Sequence, residues 1–489
     1  MLTEPIRVLR PEDMERIHQA ALSILQRVGM KIDSPKAHAL LAKAGCSCDL
    51  ASGVVRFPSR LVQQSVDQMR LAYDQPQRLP ERMAARYAHI RFRREKHRIH
   101  RDFTASAGGF CVFICDFEGQ RRKATMDDVR RAIHMVNRLD DINLTGLPVA
   151  DQDTPPAIRP VVMAAELAKR TTKLGGVETF RKEDIPYLLE IGAIVQGGEE
   201  ALRRAPVLIG YGEARSPLCF DRNMVEIFME YIERGYPQTL DTMPNGGATA
   251  PITAAGILAQ GSAETLAAVV LAHAIDPQAV VGVDIIPSYS DMRSGLFSYG
   301  TPARLPLLVG RVQMISEFYG CPSGVHGAKT DSCFVDVQAG AEKAWSTLVP
   351  VLAGAVGIGT AGHLENAVTF SPQQLVIDNE IVRGVRRVIQ PIEVNDETLA
   401  VDAIAEVGAG GNFLAEPHTA GHFRAELMLS ELFCGMPWAA AHADGRTGLA
   451  GRALEQARAI WAEDPPVILD DAKVRAIDEV VARARRDLA

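Results

Sequence analysis

Apolar residues recur along this chain with two different periods, and the alternation between them sets the expected architecture. Ile17, Ala21, Leu25 and Val28 fall at i, i+4, i+8 and i+11, which predicts an amphipathic helix over 11–28. A short helix is expected over 36–43, a strand over 54–58 and a helix over 59–69. From residue 108 onward, short β-branched runs alternate with helical patterns. Strands are expected over 110–115, 142–148, 173–177, 206–211, 238–242, 279–285, 323–326 and 353–358. Helices are expected over 125–139, 155–170, 183–195, 222–234, 261–275, 302–318, 334–351 and 372–388. Their start signals are good. Thr125 stands in capping-box spacing with Asp128, Asp221 can cap the fourth helix, and Ser371-Pro372 supplies a cap and an N1 proline.

Strands separated by helices demand right-handed crossovers and a parallel sheet. Eight such units predict an α/β fold, a (β/α)8 TIM barrel. A doubly wound open sheet is the alternative. No GxGxxG or Walker-type loop follows any of these strands, which weakens a nucleotide-binding reading. Beyond residue 390 the pattern turns helical, over 399–407, 423–432, 447–460 and 472–488. The expected organisation is an N-terminal α/β extension over 1–104, the barrel over 105–390, and a C-terminal helical region over 391–489 packed on the barrel.

Composition narrows the class. A net charge of −7 argues against a general nucleic-acid binder. Eight cysteines are scattered, and only Cys46 with Cys48 and Cys111 with Cys115 lie close together, so reduced thiols in a cytoplasmic protein are expected. The first fifteen residues are charged and read as no signal peptide. The longest weakly polar run, 345–362, carries Ser346, Thr347, Pro350 and several glycines, so no membrane span is expected. The stretch 80–101 is very basic, with Arg91, Arg93, Arg94 and Lys96 among its charges. It reads as an exposed hairpin, or as a surface that receives an acidic partner.

Candidate chemistry lies where strands end, because barrel catalysis is found there. Those positions hold Asp151, Asp153, Glu178, Tyr211, Glu213, Asp241, Asn245, Asp284, Tyr289, Phe297, Tyr299, His363 and Glu365. The loop 324–332 adds His326, Lys329, Thr330, Asp331 and Ser332. An acidic mouth with aromatic faces suits a cationic, methylated ligand, although many such carboxylates serve as helix caps. Cys333 lacks an evident orienting partner for a catalytic thiol. His418-x3-His422 has metal-ligand spacing, but a lone pair is weak, and no metal site is expected.

Several blocks together resemble the trimethylamine methyltransferase (MttB) family in its non-pyrrolysine branch. They are 17–29, Arg121-Arg-Lys-Ala-Thr-Met-Asp-Asp-Val129, Tyr299-Gly-Thr-Pro302, Lys329-Thr-Asp-Ser332 with Asp336-x-Gln-Ala-Gly340-x-Glu342-Lys343, and Gly411-Asn-Phe-Leu414 with His418-Thr419. The resemblance implies a barrel enzyme that moves a methyl group from a quaternary amine, such as glycine betaine, to the Co(I) of a corrinoid (cobalamin) carried by a partner protein. It implies no tightly bound metal. The archaeal trimethylamine enzymes carry pyrrolysine near the region 331–334, where this chain has standard residues only, and this puts trimethylamine itself in doubt as a substrate. The residues expected to carry catalysis are His326, Asp331 and Glu213. Tyr211, Phe297 and Tyr299 would wall the ammonium, His326, Arg304 or His363 would bind a substrate carboxylate, and Phe334 is a further substrate-binding candidate. A homo-oligomer with no nucleic-acid or membrane partner is expected. A metal-assisted barrel lyase or hydrolase and a non-catalytic betaine-binding protein remain the alternatives.

Overall fold

The computed structural model describes residues 4–75, 79–81, 83, 100, 102–430, 432–433, 435–442 and 447–488. Apart from Met83 and His100, the basic stretch 82–101 lies outside the described residues, and so does the hairpin expected there.

The long periodic helices form where the apolar faces predict them. They include Pro11–Arg27, Ser59–Asp74, Met126–Arg138, Arg159–Arg170, Ile185–Gln196, Arg222–Glu233, Val337–Leu352 and Pro372–Val388. The caps act as expected. Thr125 and Asp128 make a reciprocal capping box, Asp221 accepts from the Met224 amide, and Ser371 accepts from the Gln374 amide. One helix is longer than its pattern suggested. Ala254–Ile275 starts seven residues early and is long and apolar enough to cross a membrane, yet nearly all of it is buried among Pro11–Arg27, Ser59–Asp74 and Val281–Ile285. Arg304–Val312 runs on as a π-helix over Gln313–Phe318. In the C-terminal region Leu449–Ala462 and Asp471–Leu488 match expectation. The helix expected over 423–432 instead starts at Pro417, which fixes its first turn, and ends at Glu426.

The fold is mixed α/β, and its central strands pair in parallel. One group runs Gly212–Ala214, Gln238–Thr242, Val281–Ile285. A second runs Gly324–Val325, Gly357–Ile358, Thr104–Ala107, Leu144–Thr145, and a single bridge carries it on to Leu174. Among the described residues no ladder joins the two groups, so the pairings do not close a barrel. Three expected strands are corrected. The stretch 173–177 forms no regular strand and pairs only through the bridge at Leu174. The parallel strand nearest the expected 110–115 is Thr104–Ala107, a run of small residues with little hydrophobic signal. Phe113–Cys115 instead joins a small sheet with Arg121–Lys123 and Thr369–Phe370. The stretch 206–211 forms no regular strand, because Leu208 takes a left-handed conformation (φ 57°), and pairing resumes at Gly212.

Two apolar cores result. One joins the N-terminal helices to the strands around Leu240 and Val283, and the other joins strands at Ala105 and Val325 to the last two helices through Ala457 and Val480.

Candidate active site

Register places the first group of acids. Glu213, Asp241 and Asp284 are direct partners on three adjacent parallel strands, so their side chains leave the same face at the same level. Tyr211 stands two residues before Glu213 and donates its hydroxyl to Glu178 Oε1 at 2.9 Å. These groups feel one another. Burial first, then Glu178, Glu213 and Asp241, push the Tyr211 hydroxyl well above its ordinary range. Burial pushes the Glu178 carboxyl up to about 7, with help from Glu213. Asp241 is raised well above a free carboxylate, by burial and then by Asp284 and Glu213. Glu213 is raised by burial and lowered by Lys329, although the residue as a whole keeps contact with solvent. A cavity of about 330 Å³ lies against Tyr211 and Asp241, lined also by Leu144, Leu174, Val207 and Gln238.

The opposite wall is cationic. The Lys329 Nζ sits 3.8 Å from the centroid of the Tyr299 ring, and the Arg304 guanidinium carbon is 5.0 Å from the same ring. Burial, then Arg304, drive the Lys329 pKa down to about 7, while Glu213 pulls it back. His326 is held well below its ordinary range by burial and by Lys329, Arg311, Arg304 and His363, so it is neutral at pH 7.

The loop carrying these residues braces itself. Glu342 accepts from Thr330 Oγ1 at 2.6 Å, the Asp331 amide at 2.8 Å and Gln338 Nε2 at 2.9 Å. Asp336 caps the helix at the Ala339 amide and receives Ser332 Oγ. A Cβ on Gly300 would overlap the Glu342 carboxylate, so only glycine lets the 297–300 segment approach. The block 329–343 that stands out in the sequence is therefore largely scaffolding for Lys329 and Tyr299.

The residues singled out in the sequence separate into three groups. Tyr211, Glu213, Tyr299 and His326 come near one another: Glu213 acts on Tyr211, Tyr299 and Lys329, and His326 lies beside Asp241 and Asp284. Asp331 and Arg304 are already engaged. Asp331 Oδ1 accepts the Tyr299 and Gly300 amides at 2.7 and 2.9 Å, and Oδ2 accepts Ser298 Oγ. Arg304 donates to the carbonyls of Pro287, Tyr299 and His326. Neither is free to meet substrate as expected; Asp331 holds Tyr299 in place, and Arg304 holds both Tyr299 and His326. Phe297 and Phe334 lie on the exposed rim, and His363 is fully buried. Neither His363 ring nitrogen has a hydrogen-bond partner among the described residues, and its ring lies where a Cβ on Gly109 (φ 114°) would stand, 2.8 Å from Cε1. Glu178, Asp241, Asp284 and Lys329 were legible as strand-end residues, but only the register and the ring contact give them parts in the site.

One atom each of Asp241, Asp284 and His326 lies within 4.8 Å of the others, a spacing that could hold a metal ion. Arg311 already pairs with Asp284, however, and supplies a positive charge there. The His418 and His422 rings lie 4.3 Å apart and tilted on an exposed helix, and both turn to Glu397. The exposed Cys333 thiol is pushed up by burial and Glu365 and stays protonated, so it offers no nucleophile.

The family described as trimethylamine methyltransferase (MTTB) matches residues 2–489. The chain is 31% identical over 422 residues to the trimethylamine methyltransferase MttB of Desulfitobacterium hafniense (strain DSM 10664 / DCB-2), covering 85% of this chain and 81% of that one. It is 28% identical over 422 residues to a glycine betaine methyltransferase of Desulfitobacterium hafniense (strain Y51), covering 86% and 85%. The solved monomethylamine methyltransferase (MtmB) of Methanosarcina barkeri is similar at a TM-score of 0.42 and 11% identity, covering 98% of this chain and 94% of that one.

Proposed function

The chain belongs to the trimethylamine methyltransferase family and is a methyltransferase, and from that premise we propose that it takes a methyl group from a quaternary amine with an anionic tail, glycine betaine or a close relative, and delivers it to the corrinoid of a partner protein. The observation that carries this reading is the Lys329 ammonium on the face of Tyr299. The site already seats a cation on an aromatic ring with carboxylates alongside, which is how a quaternary ammonium is held. When substrate takes that face, the flexible Lys329 stem can turn its charge to the substrate carboxylate. Arg304 cannot do this, since its donors are spent on backbone carbonyls.

The corrinoid supplies the cobalt nucleophile that accepts the methyl carbon. The carbon–nitrogen bond breaks, its electron pair stays on nitrogen, and a neutral tertiary amine leaves, so no proton has to move. The protein's own work is to hold the ammonium, aim one methyl outward and exclude water. Asp331 and Arg304 fix Tyr299, and neutral His326 fills the wall beside Asp241 and Asp284 without adding charge. Ile252, Met292, Leu296, Phe297 and Phe334 stand exposed on mouth loops, and Val337 at the start of the helix that follows. That apolar rim fits a partner presenting its corrinoid over the strand ends.

The two parallel groups fit one (β/α)8 barrel. The Leu208 amide donates to the Gly175 carbonyl and the Val177 amide to the Ile209 carbonyl across one gap, and Arg311 ties Ile285 to Ser323 across the other. The division at 1–104, 105–390 and 391–489 belongs to the same reading. The deciding experiment supplies the purified protein with a cognate corrinoid protein poised as Co(I) and follows loss of the Co(I) absorbance with each quaternary amine. Turnover of betaines supports the reading; turnover of trimethylamine at an equal rate refutes it.

A further inference from the structure

One layer below Asp241 and Asp284 the strands carry little bulk. Thr239 and Gly282 are direct partners two residues before those acids, so they lie on the face that bears them. Gly176 borders the same space, since a Cβ there would stand 3.9 Å from Tyr211 Cδ1. A packed barrel fills such a layer with branched side chains, and Gly176 and Gly282 supply none. A recess of about 330 Å³ remains, the size of a small-ligand pocket. It reaches Tyr211 and Asp241 at one end, and Leu144, Leu174, Val207, Ile209 and Thr239 line it below. Among the described residues that line it there is no Lys, Arg or His. Glu213 links this space to the ring above, because it acts on Tyr211 and also on Tyr299 and Lys329.

The betaine of an amino acid has three parts to place. Its ammonium takes the Tyr299 face and its carboxylate turns to Lys329. The carboxylate has no partner in the recess, where the one ionisable acid is Asp241. What remains is the substituent on the carbon between them, which in glycine betaine is only hydrogen. Leucine, valine and isoleucine walls suit an apolar group there, because apolar carbon that displaces loosely held water gains affinity. Resting on the betaine assignment, we propose that the preferred substrate is the betaine of a larger apolar amino acid, of the valine or leucine kind, with its side chain seated among Leu144, Leu174, Val207 and Ile209. Three separate contacts then hold one orientation and aim one N-methyl group at the mouth.

Titration calorimetry of the purified protein with the N,N,N-trimethyl derivatives of glycine, alanine, valine and leucine tests this. The dissociation constant should fall about threefold to fourfold for each carbon buried, so the leucine derivative should bind on the order of a hundredfold tighter than glycine betaine. Leu144→Phe and Thr239→Leu each fill the recess and should cut that preference about tenfold. The series on wild type needs no variant, and a ratio of two constants does not depend on how much of a variant is folded. Affinity that stays level or falls from glycine to leucine, or a preference that both fillings leave unchanged, would overturn the proposal and leave the betaine assignment standing. Binding of none of the four would overturn both.

Discussion

The Lys343 ammonium lies 2.8 Å from the Asp378 carboxylate, and both side chains are fully buried. Lys343 also donates to the Ala328 carbonyl at 2.6 Å, and Asp378 accepts the Gly362 amide and Gln374 Nε2. The pair ties the loop that carries Lys329 to the loop that carries His363. Removing one partner strands a buried charge, so Asp378→Ala should cost about 3–5 kcal/mol in denaturant unfolding. The apolar double variant Lys343→Met/Asp378→Leu should recover most of that loss. A single variant as stable as wild type would show that the pair does not bind the loops together.

Lys329 should read the anionic end of the substrate. Lys329→Ala should raise KM for glycine betaine roughly tenfold to a hundredfold, the worth of one charge-assisted hydrogen bond, and leave tetramethylammonium nearly unchanged. The Lys329 pKa is near 7, so kcat/KM for betaine should fall about tenfold per pH unit above that value as the ammonium is lost. Steady-state kinetics on both amines from pH 6 to 9 decide the matter; parallel profiles would remove Lys329 from recognition.

Tyr299 should matter through its ring. Tyr299→Ala should weaken betaine binding by about 0.5–2 kcal/mol, and Tyr299→Phe, which keeps the face, by little. Titration calorimetry with substrate alone reads this directly. Equal losses in the two variants would mean that the hydroxyl, not the ring, does the holding.

Asp331 should act by position. Its Oδ1 takes both the Tyr299 and Gly300 amides, and an asparagine oxygen can do the same. Asp331→Asn should therefore keep most activity while Asp331→Ala loses it together with loop order. If Asp331→Asn is as inactive as Asp331→Ala, the carboxylate itself takes part in the reaction.

Glu178 sets a pH dependence of stability. Its folded pKa, about 7, exceeds the ordinary 4.5, so the folded chain keeps a proton that the unfolded chain loses between those values. Stability should fall as pH rises from 4.5 to 7. The full shift corresponds to about 3 kcal/mol, and solvent in the recess reduces it. Glu178→Gln should flatten that stretch of the melting-temperature profile; an unchanged slope would place its origin elsewhere.

Sequence alone determined whatever depends on neighbours along the chain. Helix faces repeat every few residues, and caps act over three, so Met126–Arg138, Arg222–Glu233 and Pro372–Val388 were readable with their ends. The block around 329–343 was visible as special for the same reason, since Glu342, Asp336 and Ser332 brace residues close to them in sequence. Tertiary structure decided the rest. Thr104–Ala107 was hidden because Thr, Ala and Ser carry little apolar signal, while the stronger run after it went to a small sheet. Strand register is a long-range choice, and it alone lines up Glu213, Asp241 and Asp284. The same holds for Arg304 and Asp331, whose types suggested contact with substrate. Their donors and acceptors are spent on backbone groups up to 32 residues away, which no local pattern records. The segment over 391–430 shows the limit from the other side. Part of its helical pattern is local, but only the folded chain reveals that, among the described residues, none of its three helices buries a side chain.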